Sequence, residues 1–325
     1  MKLPRRQFLH LAAGTAVLPV VSHLAWAQSY PSRPVRLIVS LPAGSGVDIL
    51  ARLMGQWLSE RVGQPFVIEN RPGAATNIAT EIVVRAPPDG YTLLLVNLIN
   101  AVNTTLYDNL NFNFIRDIAP VASISRGPFI IVVNPLLPAK TVPELIAYAK
   151  TRPGEINFAS SGNGSTSHIA GELFKMMAGV DMLHVPYRGE PAAITDLLGG
   201  QVQLCFGTLP GSIEYVRTGK LRALAVTTAT RSEALPDIAT VGESLPGYEV
   251  RVWNGLGAPR NTPVAIIEML NQEINAGLAN PKIQQRLADL GGTVLAGSPA
   301  DFGKLISEET EKWAKVIRTA NIKAE

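Results

Sequence analysis

Short β-branched apolar runs alternate with helical periodicities along most of the chain. Residues 35–40 read as a buried strand. Residues 48–61 follow as a helix, because Ile49, Leu53, Trp57 and Leu58 recur at a 3.6-residue spacing. Residues 66–69 form a second strand, 77–85 a helix and 92–96 a third strand, introduced by the turn Pro87-Pro88-Asp89-Gly90. This β-α-β-α-β order predicts a doubly wound, mainly parallel sheet with helices on both faces.

The pattern restarts around residues 124–127. Strands are expected at 129–133, 156–159, 183–185, 202–206 and 221–227, and helices at 143–150 (opened by Thr141), 165–178 and 192–198. The remainder is mostly helical. Thr262 and Pro263 read as N-cap and first residue of a helix carrying Ile266, Ile267, Leu270, Ile274 and Leu278. Residues 281–290 form another, stopped by Gly291-Gly292. A last one opens at Ser298-Pro299 with Leu305, Ile306, Trp313, Val316 and Ile317 on one face. These helices lack the strands for a third domain and are expected to return to the first. The predicted fold is α/β with two lobes, each a doubly wound, mainly parallel sheet. Lobe one spans residues 28–124 and 252–325, lobe two spans 125–251, and a hinge joins them over a cleft.

The first residues change the charge argument. Arg5-Arg6-Gln7-Phe8-Leu9, an apolar stretch broken by Gly14 and Pro19, and Ala25-Trp26-Ala27 describe an export leader over residues 1–27, twin-arginine-like and cut near Ala27/Gln28. The whole chain carries a net charge of +3; the leader holds Lys2, Arg5 and Arg6 and no acid, so the remainder is balanced. No basic field is left to argue for nucleic acid or anionic lipid. The single cysteine, Cys205, excludes an internal disulfide. With His10 and His23 in the leader, only His168 and His184 remain, too few for a histidine-rich metal site.

Two loops share one design. Pro42-Ala43-Gly44-Ser45-Gly46 leads through Val47 to Asp48 and a helix in lobe one. Ser160-Ser161-Gly162-Asn163-Gly164-Ser165 leads to a helix carrying His168 in lobe two. Glycines permit a sharp turn and close approach of a ligand, and the first-turn N–H groups of the helix point outward at the positive end of its dipole. Such a site takes a carboxylate without a charged side chain, and it sits at the carboxyl ends of strands, where open α/β sheets bind ligands. Neither loop fits a phosphate loop or a dinucleotide fingerprint. Asn77 at another helix start either contacts a ligand or caps the helix. Tyr187 and Arg188 stand at a strand end facing the cleft, Arg188 as a carboxylate fork or a surface charge. Asp196 belongs on a solvated helix face. An exported serine hydrolase for a small ester or amide is the enzymatic alternative, using Ser160, Ser161 or Ser165 with His168, but no Gly-x-Ser-x-Gly elbow surrounds these serines.

The chain resembles the tripartite tricarboxylate transporter receptors, the Bug- or TctC-like periplasmic binding proteins. The resemblance runs through residues 30–35, 48–52, 69–74, 88–92, 160–164, 168–174, 184–189, 196–201 and 219–226. It implies a two-lobed periplasmic-binding-protein (Venus-flytrap) fold and a monomeric periplasmic receptor without a cofactor, not an enzyme, that delivers a small carboxylate to large and small integral-membrane transporter subunits. A ligand-binding part in a sensory system would use the same cleft. The resemblance also implies that the ligand carboxylate is pinched between the two loops, with ordered waters. Three departures stand out. The loop of residues 97–105 differs from the family's wording. Ser45 intervenes before Gly46. Gly207, before Thr208, replaces an acid that meets a ligand ammonium in similar proteins, so a di- or tricarboxylate or aromatic acid is expected in preference to an amino acid.

Overall fold

The computed structural model describes residues 30–319, 322 and 323. The export leader expected at residues 1–27 lies outside the described residues. The first lobe begins as β1 (Val35–Val39), α1 (Gly46–Val62), β2 (Phe66–Asn70), a 3-10 turn (Ala74–Thr76), α2 (Asn77–Val84), β3 (Thr92–Asn97), α3 (Leu98–Leu106) and the short α4 (Phe114–Asp117). A 16-residue strand, β4 (Ile118–Val133), leads on to α5 (Val142–Lys150), β5 (Asn157–Ser160), α6 (Thr166–Ala178), β6 (Leu183–Pro186), α7 (Glu190–Leu198), β7 (Leu204–Thr208), α8 (Leu209–Arg217) and β8 (Arg222–Val226). The chain then runs through β9 (Arg251–Pro259), α9 (Val264–Leu278), α10 (Pro281–Asp289), β10 (Thr293–Val294) and α11 (Pro299–Thr319).

Each lobe is built on a parallel triplet, β2-β1-β3 in one and β6-β5-β7 in the other. In lobe one, β9 runs antiparallel to β3 and β4 antiparallel to β9. In lobe two, β4 runs antiparallel to both β7 and β8. The long β4 is therefore the crosspiece: it pairs with β9 through Pro128 and with β7 from Phe129. The chain returns where Val250 N–H donates to Thr227 O in lobe two and Arg251 opens β9. In both triplets the chain leaves the middle strand for one neighbour and later reaches the other, so β1/β3 and β5/β7 are the switch points where ligand crevices form.

The C-terminal helices cover lobe one, as their apolar faces predict. Leu270, Ile274 and Leu278 of α9 pack with Leu50, Met54 and Leu58 of α1. Phe302, Ile306, Trp313 and Ile317 of α11 pack with Leu98 and Val102 of α3. Burying side chains of this size stabilises by about 1.5–3 kcal/mol each.

Several elements depart from the sequence reading, among them α4, β10 and the first half of β4. Helix α3 occupies residues expected to be loop, α8 follows β7 directly, and β9 is a central strand in a stretch expected to be helical. One cap also differs. Pro263 is the N-cap of α9, and the Thr262 hydroxyl turns back to donate to Pro259 O at 2.7 Å.

Candidate functional site

Helices α1 and α3 start at the carboxyl ends of β1 and β3, α6 and α8 at those of β5 and β7. All four begin at the two switch points. Side chains cap three of these starts: Ser45 Oγ accepts from Asp48 N, Ser165 Oγ from His168 N and Thr208 Oγ1 from Gly211 N. These bonds satisfy the third amide of the first turn and leave the first two N–H groups of α1 and α6 pointing outward.

The first loop is solvent-facing. Pro42, Ala43, Gly44 and Gly46 are exposed and Ser45 is half-buried. Asp48 lies beneath the loop. Its carboxylate accepts from Gly44 N at 2.8 Å, Arg52 Nε at 2.9 Å and Asn70 Nδ2 at 2.9 Å. Burial pushes its pKa up, and these donors outweigh that and hold it below the usual range. The residue is a brace that fixes the loop from below.

The second loop is more enclosed, and its amides are largely spent within the chain. Ser161 N donates to Ser167 Oγ, Gly162 N to Ser160 Oγ, Gly164 N to His168 Nδ1 and Ser165 N to Gly162 O. The hydroxyls of Ser161, Ser165 and Ser167 form one cluster with 3.0 Å contacts. The donors left for a ligand are therefore the first turn of α6 and this hydroxyl cluster, rather than the glycine amides.

Behind the loop stands a histidine pair. His168 and His184 stack with centroids 3.8 Å apart and rings 9° from parallel, and His184 stacks on Phe158 on its other side. Burial first, then nearby Lys175, lowers His168 to about 4. Burial, then His168 and Lys175, lowers His184 to about 3. Both are neutral at pH 7. His184 Nε2 lies 2.6 Å from Ser160 Oγ. That contact has the composition of a nucleophile and its base, yet Ser160 is 0% exposed and its hydroxyl also accepts from Gly162 N.

Tyr187 donates to Asp196 Oδ2 at 2.8 Å, and Arg188 is exposed. Gly207 is buried, and the space its side chain would fill is taken by an acid from another element. Glu190 Oε1, at the start of α7, lies 2.9 Å from the position of a Gly207 β-carbon. Glu190 accepts from Thr208 N at 2.6 Å and Thr208 Oγ1 at 2.7 Å. Burial raises its pKa to about 7. The amide and hydroxyl of Thr208 are thus engaged by the protein's own carboxyl.

The lobes meet at two glycines. A β-carbon on Gly164 of the second loop would fall 2.5 Å from Leu106 Cδ2 and 3.9 Å from Ala75 Cβ in lobe one. One on Gly291, after α10, would fall 2.5 Å from Leu209 Cδ2 in lobe two. The first contact brings the second loop beside Asn77, which is buried at the start of α2. Sequence reasoning missed Glu190 and the asparagines Asn97, Asn100 and Asn103, whose three-residue spacing marks one side of α3.

The receptor model of the tripartite tricarboxylate transporter family, TctC, matches residues 50–322. Protein BugT of Bordetella pertussis is 35% identical over 300 residues, covering 91% of this chain and 92% of its own. The solved structure of Rpa4515 from R. palustris with adipate aligns with a TM-score of 0.86 at 40% identity, covering 90% of this chain and 99% of that one. MatC from Rhodopseudomonas palustris with bound malate aligns with a TM-score of 0.83 at 31% identity, covering 89% and 100%.

Proposed function

This chain belongs to the tripartite tricarboxylate transporter receptor family, and from that premise we propose that it captures a small organic carboxylate in the periplasm and hands it to integral-membrane transporter subunits. The observation that carries the reading is the pairing of α1 and α6. One helix start per lobe, each at a switch point and each with outward first-turn N–H groups, addresses the same cleft. Relatives bound to adipate and to malate support a dicarboxylate as the ligand.

In this reading the ligand carboxylate lies between Ser45-Gly46 of lobe one and the Ser161–Ser165–Ser167 cluster of lobe two, with Asp48 bracing the first loop. Pro42, Ala43, Gly44, Gly162, Asn163 and Tyr187 shape the rim. Strands β4 and β9 are the hinge, crossing between lobes at Pro128/Phe129 and Val250/Arg251. The protein acts as a monomer without turnover, after its leader is cut near Gln28.

A thermal-shift screen against mono-, di- and tricarboxylates, followed by calorimetry, tests the proposal. A ligand that binds only the folded form stabilises it, by about 2.7 kcal/mol at a hundredfold excess over Kd, and so raises the melting point. Stoichiometric binding with the ligand recovered unchanged is expected. Product formation from an ester or amide would move the reading to the hydrolase, and a screen without any carboxylate hit would end it.

A further inference from the structure

A buried amide in lobe one points to the chemistry at the ligand's far end. Asn103, in α3, is 2% exposed. Its Nδ2 faces three acceptors on the turn before α2: Ala75 O, Thr76 Oγ1 at 3.4 Å and Asn77 Oδ1 at 2.8 Å. These contacts fix which way the amide points. Its Oδ1 is then left buried with no hydrogen-bond partner among the described residues. A buried acceptor without a donor is costly, and few native groups stay so unless something else meets them.

The turn that Asn103 holds is also unusual. Ala74, Ala75 and Thr76 take φ of 44°, 46° and 77°, a left-handed run without glycine. Asn100 Nδ2 reinforces it by donating to Thr76 Oγ1 at 3.2 Å and Thr80 Oγ1 at 2.9 Å. Thr76 makes no side-chain bond to the first turn of α2, so that helix start is uncapped. The cluster lies on the cleft, since Ala75 and Leu106 are the lobe-one residues facing Gly164 of the second loop.

We propose that Asn103 is a specificity-determining residue, and that its free Oδ1 accepts a hydrogen bond from a hydroxyl next to the ligand's far carboxylate. That carboxylate binds at the uncapped start of α2. The preferred ligand class is the 2-hydroxy dicarboxylate. A plain dicarboxylate supplies no donor and leaves Oδ1 unpaired. This inference rests on the carboxylate reading above and narrows it.

The test is calorimetry on the purified protein with two matched pairs, succinate against malate (both enantiomers) and adipate against 2-hydroxyadipate. The hydroxy acid of at least one pair is expected to bind about tenfold or more tightly, the worth of one hydrogen bond to a buried partner. Equal affinity within threefold in both pairs overturns the assignment while leaving the carboxylate reading intact. A failure of all the acids to bind overturns both. In Asn103→Ser and Asn103→Leu both acids are expected to weaken as the turn before α2 loosens, and the ratio of hydroxy-acid to plain-dicarboxylate affinity is expected to collapse toward one. The affinity of the plain dicarboxylate also reports on local folding. If a variant keeps the hydroxyl preference, Asn103 is not the acceptor.

Discussion

Gly164 in the second loop packs against Leu106 of the opposite lobe so closely that a β-carbon would stand 2.5 Å from Leu106 Cδ2. The backbone there also has φ +71°, a conformation that favours glycine. Gly164→Ala therefore meets two penalties, local strain and a wedge between the lobes. Ligand affinity is expected to fall at least tenfold by calorimetry, with a loss of stability of about 1 kcal/mol. Adding Leu106→Ala removes the wedge and leaves the strain. The double variant is expected to regain affinity but not stability. If it regains neither, contact across the cleft is not what Gly164 provides.

The stacked histidines give a pH dependence of defined sign. Folding lowers His168 to about 4 and His184 to about 3, from an ordinary value of 6.5. The unfolded chain takes up these protons first as pH falls. The pair's contribution is complete above pH 6.5 and is lost as pH drops toward 4 and then 3. Lys175 opposes a positive charge on either ring, while Glu172 Oε1, 4.0 Å from His168 Nε2, is the nearest acid. His184→Phe keeps a ring between Phe158 and His168 and cannot titrate. It loses the bond to Ser160 and is expected to melt lower at pH 7. Its melting point should then fall less than the wild type's between pH 7 and pH 4.5. Parallel melting curves across that range would reject the assignment.

How much of this was legible in the sequence depends on which residues carry the signal. Alternating β-branched runs reported the parallel triplets, and Thr141 and Ser165 marked helix starts that the structure caps with those side chains, whereas α1 starts two residues before the expected Asp48 and is capped by Ser45. Strand β9 was illegible because two buried positions on one of its faces, Gly255 and Gly257, are glycines. A β-carbon on Gly255 would meet the Phe302 ring at 2.2 Å, and one on Gly257 would meet Ile118 and Val96 below 3 Å. The neighbours supply the apolar bulk, so the strand lacks the β-branched pattern. Helix α3 was hidden by its asparagines, poor helix formers that here cap the helix and pin the turn before α2. The reading at Gly207 concerned one position only. The structure adds that Glu190 reaches the same space from α7, which no local pattern announces.

Asp48 is expected to matter for binding through the loop above it. Asp48→Ala deprives Gly44 N–H, Arg52 and Asn70 of their shared acceptor. Losing a hydrogen-bonded charge at a buried position costs about 1.5–3 kcal/mol. The melting point should fall by several degrees, and affinity should drop because Ser45-Gly46 is no longer fixed. Arg52→Gln removes only the exposed partner of the ion pair and is expected to cost under about 1 kcal/mol. Equal effects from the two variants would show that the ion pair, rather than the brace to Gly44 and Asn70, holds the loop.

Glu190 titrates in the direction opposite to the histidines. Burial raises it from 4.5 to about 7, so the folded protein keeps a proton that the unfolded chain releases earlier. Its contribution is complete below pH 4.5 and is lost as pH rises through 7, a difference on the order of 3 kcal/mol. Among the described residues no cation offsets the ionised form, its hydrogen-bond donors are the amide and hydroxyl of Thr208, and Gly207 and Gly211 wall its carboxyl. Glu190→Gln retains an oxygen for Thr208 N–H and removes the titration. The melting point of the variant minus that of the wild type is therefore expected to increase from pH 5 to pH 8. At pH 5 the variant should be no more stable, because the protonated acid already serves as a neutral partner. A difference that stays constant with pH would mean that Glu190 titrates near 4.5 in the folded protein, with the start of α8 carrying its negative charge.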